Sequence, residues 1–190
     1  MSFFIHSSAI IEESAIIGKD SQVWCFSHVA AYARIGDNCI LGQNVFIGEH
    51  VEIGNRVKIQ NNVSVYTGVT IEDEVFLGPS VVFTNVINPR SFVSRKNAFK
   101  STRVKKGASI GANATLICGI EIGSFAMIGA GSVVTKSVSS YALVTGNPAV
   151  QTGWMSQQGW NLAFDNDGFA FCQESGEKYE LAHNKVERIK

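Results

Sequence analysis

Five cations, Arg90, Arg95, Lys96, Lys100 and Arg103, follow the pair Thr84-Asn85 in the segment "TNVINPRSFVSRKNAFKSTR". Guanidinium and ammonium groups gathered on one segment suit an anionic ligand such as a nucleotide diphosphate. The Asn85 amide donates and accepts hydrogen bonds but does not titrate near neutrality, so it can orient a reacting group without acting as a base. A second set differs in kind: Gly111-Ala112 and Gly129-Ala130 stand eighteen residues apart. Small residues let a ligand approach the main chain and its amides, and an extended pantetheine arm, with two amides of its own, is a ligand of that shape. Asn62, Tyr66 and Thr84 are further candidates for substrate contact. Beyond them come Lys136 and the turn at Asn147-Pro148.

These residues need a frame, and the sequence supplies one. An aliphatic residue returns at every sixth position from Ile5 through Ile11, Ile17 and Val23 to Leu77, and again from Val104 to Val134. A second row, Ala15, Ser21, Ser27, Ala33, Cys39 and then Val45 to Val81, lies two positions earlier, which puts both rows on one face of a strand. Gly18, Gly36, Gly42, Gly48, Gly54 and Gly78 each follow a row member, where the chain must turn sharply and a side chain would obstruct it. Period six excludes a helix and predicts an all-β parallel solenoid, three hexads to a turn. Residues eighteen apart then stack at about 4.8 Å, and the in-register hexads amount to a little over six turns, about 30 Å. Asn44 and Asn62 share one corner; Glu49, Thr67 and Asn85 share another. The interval from Leu77 to Val104 holds fifteen residues more than two hexads need, so residues 84–103 form a loop inserted in a rigid column. The expected organisation is a solenoid over residues 1–146 and an extension over 147–190. That extension caps the column and carries a β-hairpin around Ser175-Gly176.

With 190 residues and 45% hydrophobic composition, the chain suits one buried domain with a small appendage. Sixteen Lys plus Arg balance sixteen Asp plus Glu, so no global field recruits nucleic acid or an anionic membrane. Apolar runs are too short to span a bilayer, and the first residues lack a secretory pattern, which gives a cytoplasmic expectation. Cys25, Cys39, Cys118 and Cys172 show no paired spacing, so neither a metal site nor a disulfide framework is expected.

The hexads resemble the left-handed β-helix acyltransferases. "GAGSVVTKSV" and "VTGNPAVQTGW" are similar to the coenzyme A end of the hexapeptide acetyltransferases. "GQNVFIG", "GASIGANATLICG", "GNPAVQTGWMSQQG" and the loop resemble the bacterial sugar-nucleotide N-acetyltransferases that act on a 3-amino sugar. The resemblance implies acetyl-CoA lying along the coils, in contact with Gly111, Ala112, Gly129, Ala130, Asn147 and Pro148, with Lys136 beside a phosphate. It implies Asn85 at the reacting amine and a homotrimer with sites between subunits; Arg90 and Lys96, on the basic loop, are assigned to the diphosphate or a sugar carboxylate. The tail "CQESGEKYEL" tilts the substrate toward UDP-2-acetamido-3-amino-2,3-dideoxy-glucuronic acid; a dTDP-3-amino-dideoxyhexose is the alternative. Cys25 departs from the pattern, which has His there.

Other readings fare worse. A γ-class-like carbonic anhydrase on the same solenoid needs three His ligands, whereas His28 and His50 stand alone. An ice-binding or scaffold solenoid has regular Thr or charged ladders and no use for a basic insertion. An acyl-carrier-protein-dependent acyltransferase is the third rival. His6 and His183 belong to the first turn and the tail; neither His28 nor His50 is within one layer of Asn85.

Overall fold

The computed structural model describes residues 3–189 and contains no helix, so none long and apolar enough to cross a membrane. Strands of two or three residues, and a last one of five, wind into a left-handed parallel column of about eight turns with three faces. The first face runs from Phe4–Ile5 through Gln22–Val23, Ile40–Leu41, Lys58–Ile59, Phe76–Leu77, Ser109–Ile110 and Met127–Ile128 to Ala142–Gly146. The second is built from Ile10–Ile11, His28–Val29, Phe46–Ile47, Ser64–Val65, Val82–Phe83, Thr115–Leu116 and Val133–Val134. Ile16–Ile17, Arg34–Ile35, Glu52–Ile53, Val69–Ile71, Thr102–Val104 and Glu121–Ile122 make the third. Before the loop, partners are eighteen apart, as in Lys58↔Ile40; across it they are thirty-three apart, as in Val82↔Thr115.

Both aliphatic rows point inward, and Val23, Leu41, Ile59, Leu77, Ile110 and Ile128 are all but sealed from solvent. The column is so narrow that polar members of the second row must be satisfied inside it. Ser21 Oγ donates to the Gly36 carbonyl at 2.8 Å and accepts from Cys39 N–H at 2.9 Å; Ser27 repeats this with Gly42 and Val45. Thr102 lacks such an arrangement: its buried hydroxyl has no partner among the described residues.

The glycines work differently from the expectation of a sharp local turn. The left-handed conformation falls two residues later, on Asp20, Asn38, Asn44, His50, Arg56 and Ser80, with φ near +60°. Glycine is needed because of the turn above: a Cβ on Gly42 would lie 2.5 Å from Asn61 Oδ1 and 3.0 Å from its amide nitrogen. Stacking at strand spacing leaves no room there for a side chain.

The column is also longer than six turns. Val138 bridges Ile122, and Val144 pairs with Ile128, both sixteen residues on. Two residues are shed at this last turn, so Val138 and Val144 fall out of the six-residue count. Ala149–Trp154 then folds back antiparallel on Ala142–Gly146, with Asn147-Pro148, a cis peptide, as the turn. Phe169–Phe171, Lys178–Ala182 and Lys185–Ile189 form a separate antiparallel sheet, and Ser175-Gly176 sit in the turn of its first hairpin. Tyr179, wholly buried, ties this sheet to the column through a ring contact with Tyr141.

Candidate functional site

The candidate residues fall on the two corners that flank the second face. On the corner before it, Asn44 Nδ2 donates to Asn62 Oδ1 at 3.1 Å, as stacking eighteen apart requires. Gly111-Ala112, Gly129-Ala130 and the Asn147-Pro148 turn continue that corner. On the corner after it stand Tyr66, Thr84, Asn85 and Lys136. The strands between these corners, Ser64–Val65, Val82–Phe83, Thr115–Leu116 and Val133–Val134, belong to four successive turns. Residues 84–101 emerge from this same region.

At the Gly-Ala corner, glycine is again a packing requirement: a Cβ on Gly111 would lie 2.5 Å from Ala130 N. The chemistry lies in the alanines. At several other corners the amide two places beyond a row member bonds a side chain one turn on, as Gln43 N–H does to Asn61 Oδ1 and Asp37 N–H to Asn55 Oδ1, each at 2.9 Å. Ala112 and Ala130 meet no such side chain. Among the described residues their amides have no acceptor in the protein. Two unpaired N–H groups about 4.8 Å apart on a low, solvent-facing edge suit the carbonyls of an extended amide chain.

Asn85 sits where the loop leaves the column. Its carbonyl accepts from Lys100 N–H at 2.9 Å, closing the loop at its root, while its half-buried side chain makes no hydrogen bond among the described residues. The neighbouring Thr84 Oγ1 accepts from Cys118 N–H at 2.9 Å, which fixes the chain one residue before. Within the loop, Val93 N–H bonds the Arg90 carbonyl at 3.1 Å and Ala98 N–H the Arg95 carbonyl at 2.8 Å. Residues 84–103 contain no Asp or Glu. Arg90, Arg95, Lys96 and Lys100 form no ion pair among the described residues. Arg103 reaches Glu72 at 4.0 Å and belongs to the third face instead. The four unpaired cations leave a positive field beside Asn85 that an anion would neutralise.

Lys136 stands across the second face from the Gly-Ala corner, exposed and without an ion pair among the described residues. It lies above Asn85 and Cys118 on their corner, so within one chain it does not share an edge with Ala112 and Ala130. A groove of about 430 Å³ on the third face, lined by Arg34, Glu52, Thr70, Glu72, Asp73 and Lys106, contains none of the candidates. Among the described residues no group of three His, Cys, Asp or Glu is placed to hold a metal ion.

One cluster is not marked by any motif in the sequence. Glu12 Oε1 lies 2.8 Å from His28 Nε2, and the His28 ring meets Phe46 at 5.5 Å between centroids. Its only sequence trace is the eighteen-residue interval from His28 to Phe46. Glu12 and His28, sixteen apart, are out of stacking register.

Over residues 14–49, 50–85 and 101–136 the chain matches the family described as bacterial transferase hexapeptide (six repeats). Residues 32–67 match the hexapeptide repeat of succinyl-transferase. The interval from 86 to 100 that the first match omits lies within the loop. A dTDP-3-amino-3,6-dideoxy-alpha-D-galactopyranose 3-N-acetyltransferase of Aneurinibacillus thermoaerophilus is 47% identical over 92 residues, 48% of this chain and 47% of that one. Serine acetyltransferase 2 of Arabidopsis thaliana is 35% identical over 98 residues, 49% of this chain and 30% of that one. The chain thus spans about half, or less, of the length of these curated relatives. Among solved structures, an N-acyltransferase from Bacillus cereus in complex with dTDP and coenzyme A aligns with a TM-score of 0.51 at 16% identity, over 82% of this chain and 83% of that one. That likeness is one of fold.

Proposed function

Because the chain belongs to the bacterial transferase hexapeptide family, we propose that it transfers the acetyl group of acetyl-CoA to the amine of a nucleotide-linked 3-amino sugar. The observation that carries this reading is the pairing of opposite needs on either side of the second face. One corner offers the unpaired Ala112 and Ala130 amides; the other offers Asn85 at the root of a loop that carries four cations without an ion pair among the described residues. Acetyl-CoA supplies the thioester, and its pantetheine carbonyls would take the two alanine amides.

The neutral sugar amine attacks the thioester carbonyl: a C–N bond forms, the C–S bond breaks, and the amine proton passes to the departing thiolate or to water. Asn85 holds the amine, or the tetrahedral intermediate, by hydrogen bonding. Arg90 and Lys96 take the diphosphate. The outward residues Ser64, Val82, Thr115 and Val133 of the second face are uncharged and suit contact with a neighbouring copy, and a homotrimer would bring Lys136 of one copy toward the cofactor of the next.

Two sugars compete. The tail suggested a UDP-linked 3-amino uronate, but the Aneurinibacillus relative favours a dTDP-linked 3-amino-dideoxyhexose, which we take as the better reading. Incubation with acetyl-CoA and a panel of UDP- and dTDP-linked amino sugars, with thiol release followed, tests both. Turnover confined to dTDP-linked 3-amino sugars is expected. Turnover of free serine, or of no amine at all, overturns the proposal.

A further inference from the structure

We infer that Glu12, His28, Phe46 and Tyr66 receive the base of the nucleotide and select one with an imide N–H, uracil or thymine. The inference rests on the nucleotide-sugar reading above and extends it to a part of the substrate that Asn85 and the loop do not reach. His28 and Phe46 point outward from adjacent strands of the second face, their rings edge to face at 5.5 Å. Tyr66, at the end of the next strand, has its ring centroid 6.2 Å from that of Phe46. All three are at least partly open to solvent. The rings of this strip are tilted to one another, by 67° between His28 and Phe46 and 55° between Phe46 and Tyr66, so the base lies against the exposed part of one ring, that of Phe46, with its neighbours as walls.

Selectivity comes from the polar end of the strip. Glu12 Oε1 accepts from His28 Nε2 at 2.8 Å, and its Oε2 accepts from Ala31 N–H at 2.9 Å, so both carboxylate oxygens are engaged. The Glu12 contact puts an imidazole hydrogen on Nε2, and in the neutral ring Nδ1 is then an acceptor. Among the described residues Nδ1 has no protein partner. The imide N–H of uracil or thymine satisfies it. Cytosine presents an acceptor at the same position and leaves two lone pairs facing each other.

Order along the column fixes the direction. The Gly-Ala corner occupies the two turns beyond Asn85, whereas Phe46 and His28 lie two and three turns before it, about 10 and 14 Å along the axis. A ribose and a diphosphate fill an interval of that kind between a reacting sugar and its base. Beyond Asn85 the second face offers only Thr115 and Val133, with no ring to stack on.

Calorimetric titration of the wild-type protein with UDP, dTDP and CDP, repeated on His28→Ala and Phe46→Ala, tests the assignment together with steady-state kinetics at saturating acetyl-CoA. UDP and dTDP should bind at least about tenfold more tightly than CDP. His28→Ala should abolish that difference, and Phe46→Ala should weaken all three about tenfold. Both variants should raise KM for the amino sugar nucleotide with kcat and KM for acetyl-CoA nearly unchanged. Should Phe46→Ala lower the melting temperature, Phe46→Leu keeps the bulk without the ring and carries the same expectation. Equal binding of the three diphosphates by the wild type, or an unchanged KM in both variants, overturns the base assignment while acetyl transfer stands. A wild type that binds no diphosphate and acetylates no nucleotide-linked sugar overturns the function itself.

Discussion

Thr102 stacks directly on Val69 in the third face, only 1% exposed, and its hydroxyl has no hydrogen-bond partner among the described residues. A sealed, unpaired hydroxyl is a net cost to the fold. Thr102→Val replaces it with a methyl of similar size, and the variant should be more stable by about 1 kcal/mol, read as a higher urea midpoint with an unchanged slope.

Gly111→Ala should act in the opposite direction. The new Cβ would meet main-chain atoms of Ala130, which cannot swing aside as a side chain would. A loss of about 2 kcal/mol or more is expected in the same denaturation experiment.

Asn62 adopts a left-handed φ of 62° at its corner. Glycine accepts that conformation and a β-branched residue resists it, so Asn62→Val should be less stable than Asn62→Gly by about 1–2 kcal/mol. Equal melting temperatures for the two variants would show that the corner relaxes.

For Asn85, the expectation concerns rate and not stability. Its side chain makes no bond within the described structure, so Asn85→Ala should melt with the wild type while kcat/KM falls by about a hundredfold, the scale of losing one oriented hydrogen bond in a transition state. An unchanged kcat/KM would remove Asn85 from the chemistry.

Cys172 supplies a pH dependence. Burial pushes its thiol up, but hydrogen bonds from Ser156, Ser175 and the main chain at Ser175 and Glu174 together outweigh burial and bring it down to about 7. An acid held lower in the folded chain than in the unfolded one stabilises the fold in its ionised form. That contribution is fully present above the ordinary thiol range, near 8.5, and is lost as pH falls through about 7. Wild type minus Cys172→Ala stability, measured from pH 6 to 9, should therefore rise with pH.

The winding was legible because stacking forces identical demands on every turn: an aliphatic residue inside, no side chain beside the turn above. Asn44 over Asn62 and the loop after Phe83 follow from counting alone. Counting fails where the backbone contracts, which hid Val138 and Val144. It also cannot tell a glycine required by a neighbouring turn from one that exposes backbone to a ligand; at Gly111 the two readings coincide in sequence and differ in cause. Corner identity was the harder part. Lys136 and Ala130 are close in the chain, yet a strand carries them to opposite edges. The Glu12–His28 contact joins residues from adjacent turns through long side chains, and no backbone period encodes it.

The shortened last turn and the reversed strand 149–154 have a consequence for how the protein avoids its own kind. Parallel columns of short strands are natural seeds for fibres, because each end can template another molecule. Here the first face finishes on a strand running the wrong way, over a turn two residues too small for a standard coil to sit on. Growth from that rim is closed off by shape, without a single charge being spent on it.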